Sequence, residues 1–233
     1  MIGVIIPAHN EAGSIARCVS SALAAARHQD LAGEAVKVIV VLDSCSDDTG
    51  AIATALGADV IEITHRNVGF ARAEGARCAL DAGARWLAFT DADTVVPADW
   101  LVCQLACDAE AVCGVISVDD WTGHSERVRE DFLQTYRDAD GHRHIHGANL
   151  GVSAAAYLRV NGFRALDSNE DVALVEALIA DGATIAWTAS TRVVTSARLD
   201  SRAPRGFGAT LREVGRRLAS PDWSPLNAVG ELD

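Results

Sequence analysis

Val36-Lys37-Val38-Ile39-Val40-Val41-Leu42-Asp43 is the stretch that decides the fold. It is apolar and β-branched almost without interruption and then stops at a carboxylate, as a strand does when both of its faces are buried. Shorter runs of the same kind occupy residues 4–7, 60–63 and 86–90. Between them, residues 14–27, 47–56 and 70–82 are Ala-rich, amphipathic and of helical length. Ser46-Asp47-Asp48 ahead of Thr49 supplies capping side chains for the second of these helices. Strand and helix in repeated alternation predict an α/β fold with a mostly parallel central sheet flanked by helices. Ligands in such folds sit beyond the carboxyl ends of the strands, here residues 8–11, 43–48 and 91–94.

The second half is less regular. Helices are expected over 97–111, 126–137, 154–161, 171–181 and 207–218, and short strands over 115–118, 184–187 and 192–195. No repeat, low-complexity block or linker divides the chain, so a single domain over 1–233 is expected, with 219–233, including Pro221 and Pro225, as a mobile tail. Lys and Arg number 20 against 32 Asp and Glu, a net charge of −12, and all but Lys37 of the basic residues are arginine. That balance argues against a nucleic-acid-binding protein, which needs clustered cations to neutralise phosphate. No segment reaches the roughly 18 apolar residues of a membrane span. Met1-Ile2-Gly3-Val4 runs into a strand without a basic leader, so a cytoplasmic chain lacking a signal peptide is expected. Cys103, Cys107 and Cys113 lack C-x-x-C spacing and a nearby His, and the six cysteines read as free, small hydrophobes.

Asp91-Ala92-Asp93 carries the most chemistry. Two carboxylates leaving one strand tip repel each other unless a cation lies between them, and a hard divalent ion such as Mg²⁺ or Mn²⁺ suits oxygen ligands. A solvated turn is the plainer alternative. Asp43 faces the same crevice and could accept hydrogen bonds from a base or ribose, or serve as a turn residue. Asn10 and Glu11 could line that crevice or cap the first helix. Arg72 and Arg198 suit phosphate oxygens, which a guanidinium binds bidentately, but equally suit surface ion pairs. Asp171 opens a helix, where the macrodipole alone would favour an acid. His142, His144 and His146 alternate and so share one face of an extended segment, as a metal site or as the edge of a cleft. Trp121 and Trp187 could stack on a sugar ring or simply be buried.

Taken in order, Pro7-Ala8-His9-Asn10-Glu11, then Val41 through Thr49, Gly69-Phe70-Ala71-Arg72-Ala73-Glu74-Gly75 and Asp91-Ala92-Asp93 resemble the motifs of family 2 glycosyltransferases. Gly147-Ala148-Asn149, Gly162-Phe163, Glu170-Asp171 and Thr195-Ser196-Ala197-Arg198 ahead of Gly206-Phe207 extend the likeness over roughly residues 2–215. The resemblance implies a GT-A (Rossmann-like) fold of bacterial type and inverting transfer of one sugar from a UDP-, GDP- or dTDP-sugar to an acceptor hydroxyl. It implies that residues up to about 95 bind the nucleotide sugar and that 96–218 bind the acceptor. Pro7, Ala8, Asn10, Glu11, Asp43, Arg72, Asp91, Ala92, Asp93 and Arg198 would serve the donor. Asp91 and Asp93 would hold Mn²⁺ or Mg²⁺, and Asp171 would be the general base. His146, Gly147, Ala148, Asn149 and Glu170 would lie on the acceptor side. Leu42 stands where the family often has a second acid, and Ala73 where an Asn is usual. No late His stands within 193–198 to complete a metal site. The Q-x-x-R-W element of processive synthases is absent after Asp171, which favours single transfer.

The same residues admit two rival functions. Asp91-Ala92-Asp93-Thr94 also resembles the nucleophile motif of haloacid-dehalogenase-type phosphatases, but no lysine follows Lys37 to hold a phosphoryl group. A non-catalytic nucleotide-sugar-binding protein would have no use for the Asp91, Asp93 and Asp171 set. G-x-G-x-x-G and G-x-x-x-x-G-K-[ST] are both absent, which sets aside dinucleotide and P-loop chemistry.

Overall fold

The computed structural model describes residues 1–199 and 206–219. Residues Met1–Asp119 and Asp138–Thr195 form one compact unit, and Asp120–Arg137 with the described residues from Ser196 onward form a second. The division falls at positions with no Pro- or Gly-rich linker to mark it. Apart from Ala219, the expected tail lies outside the described residues. Among the described residues no helix is long and apolar enough to cross a membrane.

The first unit is built on one seven-stranded sheet. Its strands are β1 (Ile2–Ala8), β2 (Val36–Asp43), β3 (Asp59–Ile63), β4 (Trp86–Phe89), β5 (Ala111–Ser117), β6 (Leu150–Ser153) and β7 (Ile185–Val194), in the spatial order β3-β2-β1-β4-β6-β5-β7. β1 is buried along its whole length and pairs in parallel with β2 and β4, while β2 pairs in parallel with β3. Parallel neighbours need crossovers, which α1 (Ile15–Ala26), α2 (Thr49–Leu56) and α3 (Val68–Asp81) supply. The register sets Ala8 beside Leu42 and Asp43 beside Ile63, so the strands finish level and their polar successors emerge at one edge. Asp47 rather than Asp48 supports the start of α2, its Oδ1 accepting from Thr49 N at 3.1 Å.

Three differences from the sequence reading have physical causes. α4 covers only Trp100–Ala106, not 97–111, and β5 starts at Ala111. Asp108 takes a left-handed conformation, φ 48°, that ends the helix, and the apolar run after it has no periodicity to separate helix from strand. β6 was not anticipated. It is four residues long and antiparallel to both β4 and β5, and Gly151 within it faces Trp86 and Gln104 where a Cβ would not fit. The two strands expected at 184–187 and 192–195 are one strand, β7. Its pairing with β5 jumps from Thr188 to Arg192 between Gly114 and Val115, so Ala189, Ser190 and Thr191 bulge out of register.

The unit is completed by α6 (Ala154–Arg159) and α7 (Glu170–Ala180), the latter entered through Asn169 in a left-handed conformation, φ 59°. Asn149, immediately before β6, fastens this half. Its Oδ1 accepts from Trp100 Nε1 at 2.9 Å, and its Nδ2 donates to Val115 O at 2.8 Å and Thr191 O at 2.6 Å. The second unit contains α5 (Glu126–Thr135) and α8 (Phe207–Ala219), with the rings of Trp121, Tyr136 and Phe207 gathered around Phe132.

Replacing Asn149 by Ala strands an indole N–H and two carbonyls in the core. The Asn149→Ala variant should therefore lose about 3 kcal/mol of unfolding free energy in urea titrations. A loss under about 0.5 kcal/mol, the scatter of an ordinary surface change, would contradict the fastening role.

Candidate functional site

The loops after β1 and β2 are tied to one another. His9 Nδ1 lies 2.6 Å from Asp43 O, Asn10 Oδ1 accepts from Ser46 N at 2.7 Å, and Asn10 N donates to Cys45 Sγ at 3.3 Å. Glu11 N donates to Thr49 Oγ1 at 2.7 Å, and Ala12 N to Asp47 Oδ2 at 3.0 Å. Asn10 and Ser44 both have positive φ, 54° and 58°, and Asn accepts that conformation with little strain. Glu11 is buried and takes Ser14 Oγ at 2.7 Å. Pro7, Ala8, Asn10, Glu11 and Asp43, all expected on the donor side, are thereby assembled at one edge of the sheet.

Asp43 is more heavily engaged than its sequence position suggests. Oδ1 accepts from His65 N at 2.8 Å, Arg66 N at 2.7 Å and Ser44 Oγ at 3.1 Å, and Oδ2 accepts from Asn67 N at 2.7 Å. Burial pushes this carboxyl up, but the three backbone N–H groups together outweigh it and hold it below the ordinary carboxylate range. A carboxylate has about four lone-pair positions, so most of this one is spent on shaping the turn at 65–67. Asn67, which the sequence reading passed over, closes that turn. It caps α3 by accepting from Phe70 N at 2.8 Å, and its Nδ2 donates to Leu166 O at 2.8 Å. An Asn directly before Val68-Gly69-Phe70 was the signal available for it.

Asp91 and Asp93 follow β4, half-buried, with Ala92 buried between them. Arg72, on α3, is 4% exposed and reaches Asp91 Oδ1 through Nη2 at 2.6 Å. Its Nη1 pairs with Glu170 Oε1, and the guanidinium carbon lies 5.7 Å from the centre of the Phe163 ring. Burial opposes the charge on Arg72, yet Asp91, Glu170 and Asp171 hold its pKa above the ordinary arginine value. Burial raises the Glu170 carboxyl, with Arg72 pulling it back down. The sequence left Arg72 between phosphate ligand and surface ion pair; here it is an internal cation with two carboxylate partners.

Gly147 N donates to Asp171 Oδ2 at 2.7 Å, and Val172 N to Oδ1 at 2.8 Å. A Cβ at Gly147 would stand where the Arg72 guanidinium lies and would have to displace it from its carboxylate partners. His142, His144 and His146 do share one face: their rings stack with centroids 5.4 and 5.9 Å apart. Burial and the neighbouring His144 bring His146 down to about 4, so it is neutral at pH 7. Asn149, expected on the acceptor side, is a core residue with both amide N–H groups and its carbonyl engaged. Arg198 lies in the second unit, half-buried. Trp187 is half-buried beside His142 and under Arg143 Cζ, 5.0 Å from its ring, and Trp121 packs on Phe132. All six cysteines are free thiols.

Among the described residues no group of three His, Cys, Asp or Glu is arranged to hold a metal ion unaided. Asp91 and Asp93 nonetheless fit a divalent cation of the Mg²⁺ class, which commonly takes one or two carboxylates and draws its other ligands from substrate phosphates and water.

The family model described as Glycosyl transferase family 2 matches residues 3–160. The chain belongs to glycosyl transferase family 2. Among solved structures, S. aureus TarS 1–349 in complex with UDP-GlcNAc matches with a TM-score of 0.68 at 15% identity, over 88% of this chain and 61% of that one. The mannosyltransferase PcManGT from Pyrobaculum calidifontis, in complex with GDP-Man and Mn²⁺, matches with a TM-score of 0.65 at 18% identity, over 92% of this chain and 61% of that one. At such identities the likeness is one of fold, which is the GT-A glycosyltransferase fold. The chain spans about three-fifths of the length of either structure. No curated protein matches it.

The Asp43 bonds give this family 2 member a pH dependence of known sign. Because its folded pKa is depressed, Asp43 stabilises the fold fully above the ordinary carboxylate value near 4 and loses that contribution as pH falls through the lowered one. Asp43→Asn should cost about 1–3 kcal/mol at pH 7 in urea unfolding, with the gap to the unsubstituted protein narrowing toward pH 2. A gap that stays constant across that range would count against the carboxylate's role.

Proposed function

We propose that this chain is an inverting, metal-dependent glycosyltransferase that moves one sugar from a nucleotide-sugar donor to an acceptor hydroxyl. The observation that carries the reading is the linkage of the acids after β4 to the start of α7: Asp91 and Glu170 share one guanidinium, and Asp171 is the next residue. Donor-side and acceptor-side chemistry therefore meet around Arg72. Nucleotide sugars as donors are supported by the UDP-GlcNAc and GDP-Man complexes of the two similar structures, and Mn²⁺ by its presence in one of them.

Asp91 and Asp93 would hold Mn²⁺ or Mg²⁺. Such an ion supplies Lewis-acid stabilisation to a departing nucleoside diphosphate, whose negative charge a chain of net charge −12 would otherwise repel. The assembled loops at Ala8–Glu11 and the turn shaped by Asp43 would receive the nucleoside. Asp171 would take the proton of the acceptor hydroxyl as its oxygen attacks the anomeric carbon and the bond from that carbon to the phosphate oxygen breaks. Attack from the face opposite the leaving group inverts the configuration. The two backbone N–H groups on Asp171 fix the carboxylate's orientation, as a general base requires. His146, neutral at pH 7 and next to Gly147, would border the acceptor without adding charge.

Asp171→Asn should lower kcat by about 10²–10⁴-fold while donor affinity stays within about twofold, since the amide keeps the shape and loses the basicity. Full turnover by this variant would remove the base assignment. In a thermal-shift panel of UDP-, GDP- and dTDP-sugars with and without Mn²⁺, one nucleotide should raise the melting temperature, and more so with the ion. No shift at millimolar concentration from any of them would contradict the donor reading.

A further inference from the structure

Arg72 carries more than one duty. Its fork divides between Asp91, at Nη2, and Glu170, at Nη1, and its Nε is buried without a hydrogen-bond partner. The guanidinium lies so close to Gly147 that a Cβ there would displace it, and Gly147 N is one of the two donors that orient Asp171. A cation on Asp91 must share that carboxylate with Arg72, because Oδ1 already accepts from Nη2. The Gly147 backbone therefore lies against the group that Asp91 and Glu170 share.

We propose that Arg72 is a positioning residue and internal counter-ion that couples cation and nucleotide occupancy at Asp91 to the placement of Asp171, rather than a ligand of the donor phosphates. The inference rests on the glycosyltransferase reading, in that Asp91 and Asp93 are taken as the cation site. Coupling of this kind is reciprocal: what an ion on Asp91 does to the Asp171 segment, the ordering of that segment does to ion affinity. A fixed positive charge beside Asp91 also weakens the cation's binding, so its removal should strengthen it. A phosphate ligand would behave in the opposite way, because its loss weakens the nucleotide-bound ion.

The test is Mn²⁺ binding followed by loss of the free-ion EPR signal, in the presence of UDP or GDP, beside steady-state kinetics with whichever donor is accepted. Arg72→Met should bind Mn²⁺ about tenfold more tightly, from the lost repulsion. It should also lose about 100-fold in kcat with little change in donor KM. Arg72→Lys should return Mn²⁺ affinity to within about threefold of the unsubstituted protein without restoring kcat, since one ammonium cannot bridge two carboxylates. Unchanged or weaker Mn²⁺ binding by a folded Arg72→Met variant overturns the inference and leaves the glycosyltransferase reading standing. If Arg72→Met does not fold, Glu170→Gln decides: with the guanidinium turned wholly to Asp91, Mn²⁺ affinity should fall by about threefold or more, and no change overturns the inference. Absence of any Mn²⁺ binding by the unsubstituted protein with either nucleotide would overturn the underlying reading and the inference with it.

Discussion

A guanidinium buried to 4% exposure constrains everything around it. Removing such a charge from water costs several kcal/mol unless carboxylates and hydrogen bonds compensate, and Arg72 obtains compensation from two distant parts of the chain. Asp91 comes from the end of β4 and Glu170 from the first turn of α7, separated by 79 positions in sequence. The ion pairs hold these elements together, and they bring a strand tip with two acids toward a helix that begins with two more. Gly69 and Gly147 make this approach possible, one letting α3 meet Arg164 and Glu170, the other letting the loop before β6 lie on the guanidinium.

The edge of the sheet beyond β1 and β2 is organised by a different device. Parallel strands that end level release three loops at one place, and those loops hold each other through backbone groups and short side chains. Asp43 gathers three consecutive N–H groups of the turn at 65–67, which in turn starts α3 and so places Arg72. The loops after β1 and β2 and the ion pairs of Arg72 are therefore mechanically continuous.

Much of this was legible from the residues alone. The four apolar runs of the first half became β1 to β4: β1, β4 and most of β2 are buried, as unbroken apolar runs require, while β3, at the edge of the sheet, alternates Val60 and Ile61 with the exposed Asp59 and Glu62. Asp91, Asp93 and Asp43 could be placed at strand ends for the same reason. β6 could not be foreseen: Leu150-Gly151-Val152-Ser153 is too short for periodicity, and its position between β4 and β5 is a matter of tertiary pairing. Nor could the roles of Asn149 and Arg72. An Asn within a Gly-Ala-Asn segment looks like a loop residue until Trp100, Val115 and Thr191 close around it. An Arg on a helix looks like a surface cation until the fold brings two carboxylates to it from elsewhere.

In the proposed function Asp91 and Asp93 hold a divalent cation together with the donor diphosphate. Crystals grown with Mn²⁺ and UDP, and separately with GDP, would test it through the anomalous signal of manganese. The account predicts a peak within ordinary coordination distance of these carboxylates, about 2.0–2.6 Å for oxygen ligands of such ions, shared with the diphosphate. A well-ordered nucleotide with no manganese peak there, or with both side chains turned away from the diphosphate, would contradict it.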